Sequence, residues 1–331
     1  MHAMGVFPER DELSLGMCGM HGSYAANMAL QNADCIINIG ARFDDRTTGN
    51  VREYGRRADN IIHCNIEESE INKNVRATHP IVGDAGEFCE KLIRCVRKTD
   101  NDEWKDKVQG WKQKQPYQYK NDDTLRVPDV LKSFDMYKEC SDICAFGVGN
   151  HLMMGCQYIT WNMSKKIIAS GSLGVMGCGI GYAIGAQIAN PDKRVVLIDG
   201  DGSFNMTLTD LQTIKRYNLP VKIMIMNDSS LSMVRVWEKL FFDERYTATD
   251  NPSNPYYTEL AETYGIYSTY CDNKDHLDII MRLFLEYNGP ALCEFKVEGE
   301  ECYPLVAPGK ALDDMILYSD DVRLNNTEVP N

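Results

Sequence analysis

Two carboxylates and two glycines carry the chemistry that this sequence can be read for. Gly200-Asp201-Gly202-Ser203 follows an apolar run at 195–198, and Asn227-Asp228 follows a second apolar run at 221–226. A hard divalent cation takes oxygen ligands and usually bridges protein carboxylates to phosphates. Glycines let backbone N–H groups approach an anion, and a helix N-terminus favours negative charge. Asp201 and Asp228 are remote in sequence, yet a strand–helix–strand unit would set them side by side. Such a site suits a diphosphate held through Mg²⁺. A lone Gly-Asp-Gly is more often a tight turn with its acids as caps. Here it ends a strand, opens a helix and is answered by a second acid at the next strand end.

The elements that must position these residues follow from periodicity. A short apolar run bounded by turn residues reads as a buried strand. Leu208, Leu211, Ile214 and Tyr217 give the intervening helix one apolar face, and Leu219-Pro220 stops it. Ligands of open parallel sheets bind at the carboxyl edge of the strands. The pattern recurs upstream, with a helix at 24–31 capped by Ser23, strands at 35–39, 61–66 and 80–82, and a helix at 88–96. Repeated strand–loop–helix units predict parallel sheets with helices on their faces. Residues 97–128 read as a polar linker, after which Val127-Pro128 opens a helix at 129–137. A strand at 143–146 follows, and a further helix–strand pair lies within 255–298. The expected fold class is α/β, with two parallel-sheet domains spanning 1–120 and 121–331.

The chain has 331 residues, 44% hydrophobic and 25% charged, with a net charge of −13. That balance argues against a nucleic-acid backbone or an anionic membrane as partner. Twelve cysteines without a CxxC pair read as reduced thiols of a cytoplasmic protein. Six histidines show no zinc-like spacing. The first dozen residues carry Glu9, Asp11 and Glu12 and no apolar segment, so no signal peptide is expected.

Gly200-Asp201-Gly202-Ser203-Phe204-Asn205-Met206-Thr207, closing at Asn227-Asp228, resembles the thiamine-diphosphate motif. Its form is that of the acetohydroxyacid synthase (acetolactate synthase) large catalytic subunit family. The resemblance implies thiamine diphosphate and Mg²⁺ as cofactors. Asp201, Asp228 and the backbone oxygen of Ser230 would hold the metal. The family usually has a second asparagine where Asp228 stands. Gly200, Gly202 and Ser203 would cradle the diphosphate. Asn150, His151 and Met153 match a loop on its diphosphate side. Gly174 would offer the aminopyrimidine a backbone contact. Met176 would hold the bent conformer in which the cofactor's imino nitrogen reaches its reactive carbon. Met233 and Trp237 would line the substrate pocket, Trp237 favouring a larger 2-ketoacid. Without the resemblance, Trp237 reads as a core indole against Phe241 and His151 as a satisfied loop histidine.

The first domain resembles the same family's middle domain, a Rossmann-like fold that holds FAD without a GxGxxG fingerprint. His21, Gly22, Arg42, Asp44, Arg46, Asn65, Ile66, Asp84 and Ala85 fall on its flavin-contacting loops. Residue-level reading alone makes Arg42 and Arg46 a solvated face paired with Asp44 and Asp45. Residues 301–310 resemble the family's closing loop. The implied reaction decarboxylates pyruvate and condenses the two-carbon unit with a second 2-ketoacid, in branched-chain amino-acid biosynthesis. The family starts with a further α/β domain, which supplies an activating glutamate. Nothing here matches it, so activity is expected only with a separate chain that supplies it. Family active sites lie between two chains, which implies a homo-oligomer, and a small regulatory subunit is a further implied partner. The competing expectations are a non-catalytic remnant that binds Mg²⁺ and thiamine diphosphate, and a nucleotide-binding module.

Overall fold

A computed structural model describes residues 1–318 of the chain. Residues 319–331, assigned above to the second domain, lie outside the described residues. The chain forms two compact units, one of residues 15–118 with 303–318 and one of residues 1–14 with 119–302.

In the first unit, helix α1 (Tyr24–Asn32) is capped by Ser23, whose hydroxyl accepts from the Ala26 amide. Strands β1 (Cys35–Ile39), β2 (Asn60–Asn65) and β3 (His79–Val82) form a parallel sheet in that order. A short helix α2 (Asp45–Thr48) follows β1, and α3 (Ala85–Cys95) follows β3. Side chains alternate across β1, so Ile36 is buried while Ile37 and Ile39 are exposed. Ile36, Phe43, Tyr54, Ile61, Val306 and Leu312 make the core of this unit.

The expected linker is not wholly irregular, because Asp102–Lys114 forms helix α4. Trp104, Val108 and Trp111 recur at helical spacing, and Val108 is buried. Trp104 and Trp111 meet edge to face at 5.8 Å with the Lys107 ammonium over both rings. The interleaved charges, Lys107 among them, hide the helical spacing of these residues from a composition-based reading.

The second unit contains α5 (Val127–Tyr137), β4 (Ile143–Phe146), α6 (Asn150–Tyr158), β5 (Ile167–Ile168) and α7 (Cys178–Ala189). It continues with β6 (Val195–Gly200), α8 (Asp201–Asn205), α9 (Leu211–Tyr217), β7 (Lys222–Asn227) and α10 (Ser232–Phe241). It closes with α11 (Tyr257–Thr263), β8 (Tyr267–Cys271), α12 (Leu277–Glu286) and β9 (Ala291–Lys296). The six strands run parallel in the order β5-β4-β6-β7-β9-β8. The central strands β6 and β7 are covered on both faces, which is why they read as unbroken apolar runs. Gly179 lets α7 lie close to the sheet, because a β-carbon there would stand 2.8 Å from the Gly147 nitrogen.

The tail beyond this unit pairs β10 (Leu305–Val306) with β11 (Met315–Ile316) in antiparallel fashion, and clusters with the first unit. All twelve cysteines are free of disulfides. Among the described residues no helix is long and apolar enough to cross a membrane.

Candidate diphosphate and metal site

The sheet order fixes where a ligand can sit. From β4 the chain crosses outward to β5, and from β6 it proceeds to the other side through β7. The reversal lies between β4 and β6, the position at which open α/β sheets hold ligands beyond their carboxyl ends. The loop 147–150 leaves β4 there, and Asp201-Gly202-Ser203 leaves β6 beside it. One strand further on, β7 delivers Asn227 and Asp228, with Gly200 in register with Met226. The expected cradle and both expected metal acids therefore share one edge.

Several contacts lock this edge. The Ser203 hydroxyl accepts from the Gly177 amide at 3.0 Å and the Val148 amide at 3.4 Å. It thus joins the ends of β4 and β6 to the start of α7, and its capacity for an anion falls to the backbone N–H. His151 is buried beneath the Gly200 turn, where a β-carbon on residue 200 would stand 3.0 Å from its Nδ1. Its Nε2 lies 3.5 Å from Asp199 Oδ1. Burial pushes the His151 imidazole down to about 4 and the Asp199 carboxyl up to about 7, so both are driven toward neutral forms.

Asp201 is 1% exposed, and burial raises its pKa. Burial also raises Asp228, to about 6, with Asp201 as a neighbouring like charge. Two acids that oppose each other's ionisation in a low dielectric create a site where a divalent cation is favourable. Asn150 Oδ1 and His151 Nε2 are buried without a hydrogen-bond partner among the described residues. Hard oxygen donors and unsatisfied polar atoms at one strand edge fit a cation with an anionic ligand. Among the described residues no cluster of three or more His, Cys, Asp or Glu is placed to hold a metal. A cation here would rest on two carboxylates and take its remaining oxygens from the backbone and the ligand.

The Ser230 backbone forms an antiparallel bridge with Asp250, flanked by the Leu231 amide donating to Thr249 O and the Asn251 amide to Ser229 O. This segment was not singled out in the sequence. Asn254 Nδ2 donates to Asp201 Oδ2 at 2.6 Å and to Asn227 Oδ1 at 3.2 Å. Asn251 Nδ2 donates to the same Asp201 oxygen at 3.2 Å. Asn205 donates to Asn254 Oδ1, and Tyr257 donates to Asn205. Asn227 in turn donates to Glu294, and the Lys296 ammonium donates to Ser229 Oγ. The Asn-Pro pairs at 251–252 and 254–255 announce a turn, but nothing local names their partners.

The other expected residues fall as follows. Gly174 is exposed with φ +62°, and Met176 is half-buried ahead of α7. Met153 lies on α6 and Met233 on α10, both half-buried. Trp237 meets Phe241 edge to face at 5.5 Å.

In the first unit, the loops at 40–46, 65–66 and 83–85 gather at the carboxyl ends of β1, β2 and β3. Their polar groups serve one another. Asp44 caps α2 and pairs with Arg42 at 3.0 Å, while Asp84 caps α3. Asn65 Nδ2 donates to Ala41 O, and Arg46 Nη1 to Met20 Sδ. His21 is buried, Gly22 packs tightly on Cys18, Ala85 opens α3 and Ile66 is 74% exposed. No orphaned polar group among these flavin candidates marks a ligand.

Two family models match. Residues 147–295 match the thiamine pyrophosphate enzyme C-terminal TPP binding domain, and residues 1–92 the thiamine pyrophosphate enzyme central domain. The mitochondrial acetolactate synthase catalytic subunit of Saccharomyces cerevisiae is 37% identical over 347 residues, covering 99% of this chain and 50% of that protein. The acetolactate synthase large subunit of Lactococcus lactis is 36% identical over 332 residues, covering 99% of this chain and 57% of its own. Isozyme 2 of the Escherichia coli large subunit is 36% identical over 304 residues, covering 91% and 55% respectively. The chain spans about half the length of the curated relatives it matches.

Proposed function

We propose, from the premise that this chain belongs to the thiamine pyrophosphate enzyme family, that it contributes the diphosphate-binding part of an acetolactate synthase. The observation that carries the reading is the convergence of buried Asp201 and half-buried Asp228 at adjacent parallel strand ends beside the sheet's reversal point. In this reading Asp201, Asp228 and the Ser230 carbonyl would hold Mg²⁺, and the cation would supply the charge that binds a diphosphate. Gly200, Gly202, Ser203 and the loop with Asn150, His151 and Met153 enclose the diphosphate. Gly174 and Met176 orient the rings, and Met233 and Trp237 shape the space for the second 2-ketoacid.

When bound, thiamine diphosphate supplies the carbon nucleophile and the electron sink for decarboxylating a 2-ketoacid. The chain's own task is electrostatic and geometric. The two carboxylates neutralise the cation, the strand ends fix the diphosphate, and neutral His151 supports the turn from below. Pyruvate and a second 2-ketoacid are the proposed substrates, acetolactate or acetohydroxybutyrate the products, and branched-chain amino acids their use. A homo-oligomer and a regulatory subunit are the proposed partners. The first unit is the proposed FAD-binding region, supported by its parallel strand edge and tested by flavin absorbance of the purified protein. A cytoplasmic location belongs to the same proposal, and fractionation tests it, since the yeast relative is mitochondrial.

Calorimetric titration with thiamine diphosphate, with and without Mg²⁺, tests the binding. Metal-dependent affinity lost in Asp201→Ala supports it, and metal-independent or absent binding overturns it. Acetolactate formation from pyruvate, with and without the other half of a synthase large subunit, separates the enzyme from a binding module without turnover.

A further inference from the structure

The segment at 249–256, which precedes α11, sends two amide side chains into the candidate cation site. The amide of Asn254 is fully used. Its Nδ2 donates to Asp201 Oδ2 at 2.6 Å and to Asn227 Oδ1 at 3.2 Å, and its Oδ1 accepts from Asn205 at 2.8 Å. It therefore ties the turn after β6 to the end of β7, the two elements that carry the acids. Both side-chain amides that reach Asp201 fall on Oδ2, which leaves Oδ1 as the oxygen not tied to a side chain among the described residues. Hydrogen bonds to a carboxylate also favour its charged form against the burial that opposes it.

We propose that Asn254 is a positioning residue of the cation site, holding Asp201 by Oδ2 so that Oδ1 faces the metal. The inference rests on the reading of this edge as a Mg²⁺–diphosphate site. The geometry explains why an amide stands at residue 254. A carboxylate there would present a further negative charge to Asp201. An apolar side chain would remove the shorter of the two amide bonds to Asp201 Oδ2 and the link to Asn227 Oδ1, leaving Asp201 Oδ2 the longer Asn251 bond and Asn227 Oδ1 its bonds from Ser229. Asn251 alone does not replace it, since its bond is longer and does not reach β7.

The test uses the full chain as wild type, Asn254→Ala and Asn254→Asp, titrated with thiamine diphosphate over a range of Mg²⁺ concentrations. The expected result is a Mg²⁺ requirement raised about tenfold or more in Asn254→Ala, as for a lost charge-assisted hydrogen bond, and further in Asn254→Asp. Thiamine diphosphate affinity at saturating Mg²⁺ should change much less, a split that general loosening of the fold would not produce. If Asn254→Ala fails to fold by circular dichroism, the near-isosteric Asn254→Asp carries the test. An unchanged or lowered Mg²⁺ requirement in Asn254→Asp overturns the proposal while wild-type binding stands. Equal loss of both affinities in the folded variants also overturns it. Wild-type protein that shows no Mg²⁺-dependent binding overturns the underlying reading and this inference together.

Discussion

Gly147 and Asp199 are so close that a β-carbon on the glycine would stand 1.7 Å from Asp199 Oδ1. The glycine follows β4, the acid lies on β6, and the contact sits under the reversal point of the sheet. Gly147→Ala should therefore destabilise the protein by about 1–3 kcal/mol or more through overpacking. Urea denaturation checks it. Adding Asp199→Ala makes room for the methyl, so the double variant should lose less than the two single variants together. Simple additivity would show that the two residues are not in contact.

Asp228→Ala should abolish metal-dependent binding of thiamine diphosphate, with affinity weakened by about a hundredfold or more. That exceeds the loss usual for residues behind a metal ligand. Circular dichroism should be unchanged, because Asp228 lies just past a strand end and, among the described residues, its carboxylate accepts from the nearby Ser230 amide and Ser232 hydroxyl. Unaltered affinity in a folded variant would refute the assignment of this acid.

Burial, opposed by the Ser232 hydroxyl and reinforced by Asp201, lifts the Asp228 carboxyl from 3.8 to about 6. In metal-free protein the folded state keeps a proton there that the unfolded chain has released. Its contribution to stability therefore falls as pH rises from 3.8 to about 6 and levels off above that. Mg²⁺ competes with the same proton, so stabilisation by the metal should grow over that window. His151 titrates with the opposite slope, since its imidazole is held down to about 4. Only the difference between wild type and Asp228→Asn isolates the acid. Melting temperatures against pH, with and without Mg²⁺, provide that difference, and identical curves for the two proteins would exclude Asp228 as the titrating group.

Phe43 is 2% exposed and packs edge to face on Tyr54 at 5.4 Å and His63 at 4.8 Å. It anchors the loop that presents Arg42, Asp44 and Arg46. Phe43→Ala should cost about 3–5 kcal/mol in the unit that contains it, by cavity formation. If that loop contacts flavin, the variant should also lose flavin absorbance on purification. Flavin retained at wild-type stoichiometry would remove the loop from the flavin site.

The local pattern made much of this legible. Apolar runs bounded by glycine and acid identified β6 and β7, because strands covered on both faces leave no polar alternation. Strand–helix alternation identified a parallel arrangement, since only a crossover returns the chain in the same direction. The charges of α4 mask the helical spacing of Trp104, Val108 and Trp111, so composition reads this helix as linker.

The sequence by itself determined which acids and glycines end the central strands, because period and turn chemistry are written in neighbouring residues. Only the tertiary structure decided that Asn251 and Asn254 close on Asp201, that His151 lies buried beneath Gly200, and that β4 and β6 flank the reversal. Such partners meet through loops and strand order, and a loop side chain carries no periodicity that points to the remote group it will bond. That choice is made when the sheet assembles and buried polar atoms must find donors and acceptors among whatever the fold brings near.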